Sequence, residues 1–265
     1  MNEGYQDPGD SPRRPSLPPA FRLVALECVG STNDEARRLV ADADAEDGTL
    51  VWAREQTGGR GRLGRDWNSP RGNLYLSLIL RPECPLSEAV QLGFVAAIAL
   101  CDAIGTVMPP MVEAQVKWPN DILVNDCKIA GFLLETVLSS DGSMQALLLG
   151  MGVNVRHYPE DARYPATSLR AEGAASDVDE VAVLEAFSRH FLKWTNRWLD
   201  EGFSPVRANW LHRAKGRGER IEVRLPNETL HGVFRDLDEA GALCLDREDG
   251  GDLRRIYAGD VFFAE

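Results

Sequence analysis

Histidine and cysteine are scarce in this chain, with four and five residues respectively in 265. The cysteines (Cys28, Cys84, Cys101, Cys127 and Cys244) are odd in number, widely spread and never paired at zinc-site or redox-motif spacing. They read as reduced, mostly buried small hydrophobes; Cys127, in the turn Asn125-Asp126-Cys127, is a candidate reactive thiol with nothing nearby to lower its pKa. No Ser-His or Cys-His pair is evident among His157, His190, His212 and His231. Positive charge is in deficit, 29 Lys and Arg against 41 Asp and Glu, and the net charge of -12 opposes general affinity for phosphate backbones. Any phosphate site must therefore be local. Long apolar runs are lacking too: none reaches the roughly 18 to 20 residues of a spanning helix, and the first twenty residues lack the apolar centre of a signal peptide. A cytoplasmic protein without membrane contact is expected.

What is present is enough for a full core. At 44% hydrophobic, the chain suits one medium domain with a small appendage. Residues 1–20 hold five of the fifteen prolines and few large apolar side chains, which predicts a disordered leader. A short strand over 21–27 and a polar-capped helix over 31–40 follow, then strands over 50–54 and 74–80. Residues 87–104 read as a helix ended by Gly105, with Val90, Phe94, Ala97, Ile98 and Cys101 on one face. Strands over 113–117, 122–124, 128–137 and 146–155 are separated by turn-rich Pro-Asn-Asp, Asn-Asp and Ser-Asp-Gly, so hairpins and a mixed or antiparallel sheet are expected. Two helices, 180–200 and 205–215, lead to four short strands at 222–225, 230–234, 242–245 and 253–257, the pattern of a small β-barrel. There is no internal repeat.

The stretch Gln56-Thr57-Gly58-Gly59-Arg60-Gly61-Arg62-Leu63-Gly64-Arg65-Asp66-Trp67 joins two strands, with Arg54 and Arg71 close by in sequence. Glycines let N–H groups approach an anion, and guanidinium forks bind phosphate or carboxylate oxygens in pairs, so this loop is expected to hold a phosphate. The alternative is a solvated basic loop tracking single-stranded nucleic acid. No Gly-Lys-Ser/Thr follows the glycines, which excludes a P-loop, and they lead into a strand, which excludes a dinucleotide fingerprint.

Three further segments carry chemistry. In Lys117-Trp118-Pro119-Asn120-Asp121, followed by Lys128-Ile129-Ala130-Gly131, a lysine at a strand end before a rigid turn can present a fixed ammonium to an anionic phosphate; the plain alternative is a surface lysine. Ser31-Thr32-Asn33 offers hydroxyl and amide groups at a helix start, although Thr32 and Glu35 also have capping-box spacing. In Leu149-Gly150-Met151-Gly152-Val153-Asn154, alternate glycines bare one face of a strand to a flat ligand, or else mark a bulge.

Together, in this order, the four segments resemble the biotin protein ligase family from residue 21 to the C-terminus. The resemblance implies an α+β fold: a mixed or antiparallel sheet with helices, the class II synthetase-like biotin/lipoate ligase domain, over 21–216, plus a small SH3-like barrel over 217–265. It implies ATP-dependent formation of biotinyl-5'-AMP and transfer of biotin to a lysine of a carboxylase's biotin carboxyl carrier domain, with Mg2+ accompanying ATP and no dedicated protein metal site. Residue by residue, it assigns Ser31, Thr32, Asn33 and Gln56 to biotin, and Gly59, Arg60, Gly61 and Arg62 to the loop over biotin and the adenylate phosphate. Lys117 is placed between the biotin carboxylate and the α-phosphate, and Trp67 and Asn154 near the adenine. Lys117, Arg60 and Arg62 are the expected catalytic residues. Relatives commonly dimerise through the sheet, so a homodimer is an expectation. Some relatives add an N-terminal DNA-binding domain, and the leader before Phe21 leaves none expected here. Gly58 stands where relatives often have Ala. The nearest rival is a lipoate ligase, whose dithiolane needs none of the polar groups of Thr32, Asn33 and Gln56. A non-catalytic adenylate- or nucleic-acid-binding protein is the rival from another class.

Overall fold

The computed structural model describes residues 13–161, 164–248 and 250–263. The first part of the chain runs β1 (Arg22–Leu26), α1 (Thr32–Ala41), β2 (Thr49–Ala53), β3 (Leu74–Leu80), α2 (Leu86–Ala89), α3 (Leu92–Val107), β4 (Ala114–Lys117), β5 (Asp121–Val124), β6 (Cys127–Leu138) and β7 (Met144–Val153). Helices α4 (Glu180–Glu201) and α5 (Phe203–His212) follow, then β8 (Arg220–Arg224), β9 (Thr229–Leu237), β10 (Leu243–Arg247), β11 (Arg254–Ile256) and β12 (Asp260–Phe263). Seven strands form one sheet in the order β1-β2-β3-β7-β6-β5-β4, and five form a second in the order β11-β10-β9-β8-β12. Only β1 and β2 pair in parallel in the large sheet, which makes it mixed, and the small sheet is antiparallel throughout.

Strand alternation explains the layers. In β3, Leu74, Leu76, Leu78 and Leu80 face α3 and α4, as do Leu147, Leu149, Met151 and Val153 of β7. The intervening residues face α1, where Ile79 and Leu148 pack with Ala36, Leu39 and Val40. Burying each such aliphatic chain contributes about 1.5–3 kcal/mol. The α3/α4 core runs on into the small sheet through Phe234, Leu237 and Leu243. Trp118 Nε1 donates to Gly241 O at 3.3 Å and Arg207 Nε to Leu237 O at 2.6 Å, so the two sheets are also tied by polar contacts.

Five expectations need correction. The helix expected over 87–104 is broken in two after Ala89 and passes through Gly105 to Val107; it stops at Met108, whose φ of -106° and ψ of 158° are the extended geometry favoured before Pro109. The span Leu86–Val107 has a mean hydropathy of 1.8 over its most apolar stretch, so a helix apolar enough to cross a membrane is present; that stretch is 61% buried, a core helix by position. The capping box is not made: Ser31 is the N-cap and no side chain caps the helix. A fifth strand, β12, closes the small sheet where four were expected, its 260–263 too short and too close to the chain end to show periodicity. Residues 1–12 of the expected leader lie outside the described residues. Within 13–20, Arg13 and the Ser16 amide bond Glu185 of α4, partners invisible to a count of apolar side chains.

Candidate functional site

On its α1 face the central strand of the large sheet, β7, loses its side chains toward one end. Ser77 and Leu133 flank Gly150, and Tyr75 and Gly131 flank Gly152, in register across β3, β7 and β6. A Cβ on Gly150 would lie 2.5 Å from Asn33 Oδ1, and one on Gly152 would lie 2.4 Å from Trp67 Nε1. These glycines are required by close approach, since no side chain fits there. The space above them is a cavity of about 770 Å³ lined by all the residues expected in the site: Ser31, Thr32, Asn33, Gln56, Gly59, Arg60, Gly61, Arg62, Trp67, Lys117 and Asn154.

One end of the cavity is neutral and polar. The Thr32 amide and hydroxyl both donate to Gln56 Oε1, at 2.8 and 3.1 Å, and Gln56 Nε2 donates to Ser69 Oγ at 3.0 Å. Asn33 Nδ2 donates to Glu135 Oε2 at 2.7 Å, and the Ser77 hydroxyl lies 2.5 Å from Asn33 Oδ1 and 2.8 Å from Thr32 Oγ1. Thr32, Asn33 and Ser77 are buried, so their donors and acceptors are held in fixed directions. Ser77, Ser69 and Glu135 were missed by sequence reasoning. They come from strands and a loop far apart in the chain, and each joins the site only through partners brought by another element.

The arginine loop covers this floor as a tight hairpin. Gly61 N donates to Arg65 O at 2.7 Å and Trp67 N to Gly59 O at 3.0 Å, enclosing a single 3₁₀ turn, Arg62–Gly64. Within the Gly-Arg segment positive φ occurs at Gly64 (69°) and at Leu63 (57°), not at Gly59 or Gly61. Gly59 is needed for space, because a Cβ there would meet Ser69 Oγ at 2.5 Å. Arg60 forks onto Asp34 at 2.5 and 2.8 Å, and that hydrogen bond holds the Asp34 carboxyl below its ordinary pKa. Arg62 Nη1 donates to Asn120 Oδ1 and Gly259 O, both at 3.2 Å; burial pulls its pKa down. Arg65 pairs with Asp260. Arg54 and Arg71 lie off the cavity, pairing with Glu27, Glu55 and Glu180.

Two lysines reach the cavity. Lys117, the last residue of β4 before the cis Trp118-Pro119 bond, holds its ammonium 5.0 Å from the Tyr164 ring, 5.5 Å from Phe263 and 5.9 Å from Phe262. Burial lowers its pKa, with the Asp121 charge opposing. Lys128 sits on the glycine floor instead: its Nζ would be 3.3 Å from a Cβ on Gly131, lies 5.3 Å from the Trp67 ring centre and pairs with Asp121 at 2.6 Å. Sequence reasoning quoted Lys128 without giving it a role. Trp67 Nε1 is buried with no hydrogen-bond partner among the described residues, packed on Gly152 in the cavity wall. Asn154, which also lines the cavity, has its Nδ2 bound to Thr167 O at 3.0 Å. Burial raises the Cys127 thiol pKa, the opposite of what an activated thiol needs. Among the described residues no group of three or more His, Cys, Asp or Glu side chains is arranged to hold a metal ion.

Comparison with known proteins follows the same division. Residues 17–212 match the model of the Biotin/lipoate A/B protein ligase family, and residues 217–264 match the Biotin protein ligase C terminal domain. A biotin–[acetyl-CoA-carboxylase] ligase of Paracoccus denitrificans is 41% identical over 244 residues, covering 90% of this chain and 99% of the relative. A bifunctional ligase/repressor of Bacillus spizizenii is 34% identical, covering 90% of this chain and 73% of the relative. The biotin protein ligase of Aquifex aeolicus, solved with biotin and ATP, superposes with a TM-score of 0.76 at 29% identity, covering 91% of this chain and 97% of that one.

Proposed function

The chain belongs to the biotin/lipoate A/B protein ligase family, and from that membership we propose how its cavity joins biotin to ATP and passes it to a carrier. It forms biotinyl-5'-AMP and transfers the biotin to a specific lysine of the biotin carboxyl carrier protein of acetyl-CoA carboxylase. The observation that carries the residue assignment is the convergence, in one cavity, of a neutral polar end, a glycine floor under an indole and five cationic side chains. Thr32, Asn33 and Gln56 take the ureido ring, whose N–H and C=O groups match their fixed acceptors and donors. A dithiolane has no N–H or C=O to enter this hydrogen-bond network, which disfavours lipoate. Trp67 and Asn154 take the adenine above Gly152 and Gly131.

In the first half-reaction a biotin carboxylate oxygen attacks the α-phosphorus, the bond to the β-phosphate oxygen breaks and pyrophosphate leaves. Cations close to that phosphorus screen the repulsion between the two anions and stabilise charge in the transition state. We assign that contact to Lys128, which stands on the glycine floor, with Lys117 adding positive field from the small-sheet side and Arg62 closing the loop. Of the cavity carboxylates, Asp121 pairs with Lys128 and Asp260 with Arg65, and no cluster of acidic side chains among the described residues is arranged to hold a metal ion, so the residues present suit Mg2+ bound chiefly by ATP phosphates, where it would neutralise charge on the leaving pyrophosphate. In the second half-reaction a neutral carrier amine attacks the acyl carbon, the bond to the phosphate oxygen breaks, and AMP departs as the amine nitrogen loses a proton. Positioning suffices for this step because AMP is a good leaving group.

The proposal extends to a homodimer through the open edge of β1, tested by sedimentation, and to a reducing, cytoplasmic setting that suits five unpaired cysteines. Pyrophosphate release by purified protein is expected with biotin and not with lipoate; the reverse preference would overturn the ureido assignment. Lys128→Ala should cut adenylate formation by on the order of 10²- to 10³-fold, and Lys117→Ala by less. The opposite order would return the central role to Lys117.

A further inference from the structure

The small sheet reaches the site through the corner before β12 and through β12 itself. Gly259 O accepts from Arg62, Asp260 receives both terminal nitrogens of Arg65, and the rings of Phe262 and Phe263 stand beside the Lys117 ammonium. This corner is rigidly backed: a Cβ on Gly259 would meet Leu225 Cδ2 at 3.0 Å, Val223 Cγ1 at 3.1 Å and Arg224 O at 3.2 Å. At its other end the arginine loop is held by α1, through Arg60 and Asp34. One hairpin is thus pinned by a carboxylate from each side of the cavity mouth, and only Asp260 belongs to the small sheet. Asp260 also lines the cavity, its side chain 21% exposed against 41% for Arg65.

We propose that Asp260 is a positioning residue for the ligase reaction: from the small sheet it clasps Arg65 and so keeps the arginine loop closed over the acyl-adenylate until a carrier lysine arrives. The inference rests on the reading of that loop as the adenylate cover. Exposed ion pairs add little to global stability, so losing this one should open the loop without unfolding the protein. An opened loop lets the mixed anhydride escape or meet water.

The test uses the full chain with biotin, ATP, a biotin carboxyl carrier domain and serum albumin as bystander. Mass spectrometry gives bystander labelling per carrier labelled, and a coupled assay gives pyrophosphate released per carrier labelled. Asp260→Asn should raise both ratios several-fold, Asp260→Glu should return them toward the parent, and the charge swap Arg65→Asp with Asp260→Arg should lower them relative to either single change. Trypsin cleavage within 60–65 under biotin and ATP should be faster in Asp260→Asn, a readout available even from a poorly active variant. Parent-like ratios and parent-like cleavage in Asp260→Asn overturn the clasp, as does a swap that rescues nothing. Arg62→Gly separates the two readings: if it labels albumin while Asp260→Asn does not, the clasp alone falls, and if it labels none, the loop reading falls and takes the clasp with it.

Discussion

The two faces of the large sheet are built from the same strands and differ in what every second residue carries. Toward α3 and α4, Leu74, Leu76, Leu78, Leu149 and Met151 fill the space completely. Toward α1, the rows end in Ser77, Gly150, Gly152 and Gly131, and a cavity of about 770 Å³ opens. The site is made by withholding side chains from one face while the other supplies the packing that holds the strands in place. Stability and chemistry are therefore separable along a single strand, one residue apart.

The sharpest way to break that separation is Leu149→Ala. It should cost about 2–5 kcal/mol of stability by denaturant titration, as large-to-small core changes do, and leave the KM for biotin near the parent at temperatures where the protein is folded. A large rise in KM would show that the two faces are not independent. Gly152→Val, three positions along on the other face, should reduce adenylate formation by on the order of 10²-fold through displacement of Trp67. Its melting temperature should change less than that of Leu149→Ala; if stability falls further instead, Gly152 serves the fold before it serves the site.

A smaller effect should separate the two lysines of the cavity. Burial lowers the Lys117 pKa below the ordinary lysine value of 10.5. The ammonium is charged below its folded-state pKa and is lost as pH rises through it, so adenylate formation should fall at a lower alkaline pH than an exposed lysine would dictate. Lys117→Arg should move that limb upward, since a guanidinium keeps its charge; an unchanged limb would remove Lys117 from the chemistry. Across the window between the folded and unfolded values the unfolded chain binds more protons, so stability should rise with pH there. The Asp34 carboxyl, also lowered, gives a slope of the same sign at acid pH. Its folded pKa lies below 3.8, so its pairing with Arg60 is present above that value and is lost as pH falls through the folded value.

Much of this architecture was legible from local pattern. Strand β3 was located to the residue, because seven apolar or small residues between turn signals leave little choice. The residues expected to hold biotin and adenylate, Ser31 through Asn154, all line one cavity. What pattern could not supply was direction. Lys117 ends a strand and Lys128 begins one; spacing favoured the first, whereas the glycine floor lies under the second. Thr32 and Glu35 had capping spacing, yet the Thr32 hydroxyl turned to Gln56, a residue 24 positions away. Ser77, Glu135 and Asp260 had no local feature to mark them, since each matters only through a partner brought by another element.

By itself, the sequence determined most of the elements, a mixed or antiparallel sheet followed by a small all-β unit, and the chemical kinds gathered for the reaction, because periodicity, turn residues and glycine placement act within a few positions. Tertiary structure alone decided which ammonium stands on the floor, which carboxylate pins each arginine, and how the last strand comes to wall the cavity. Those outcomes depend on strand register and on through-space electrostatics between residues as far apart as Arg65 and Asp260, distances over which no local rule reaches.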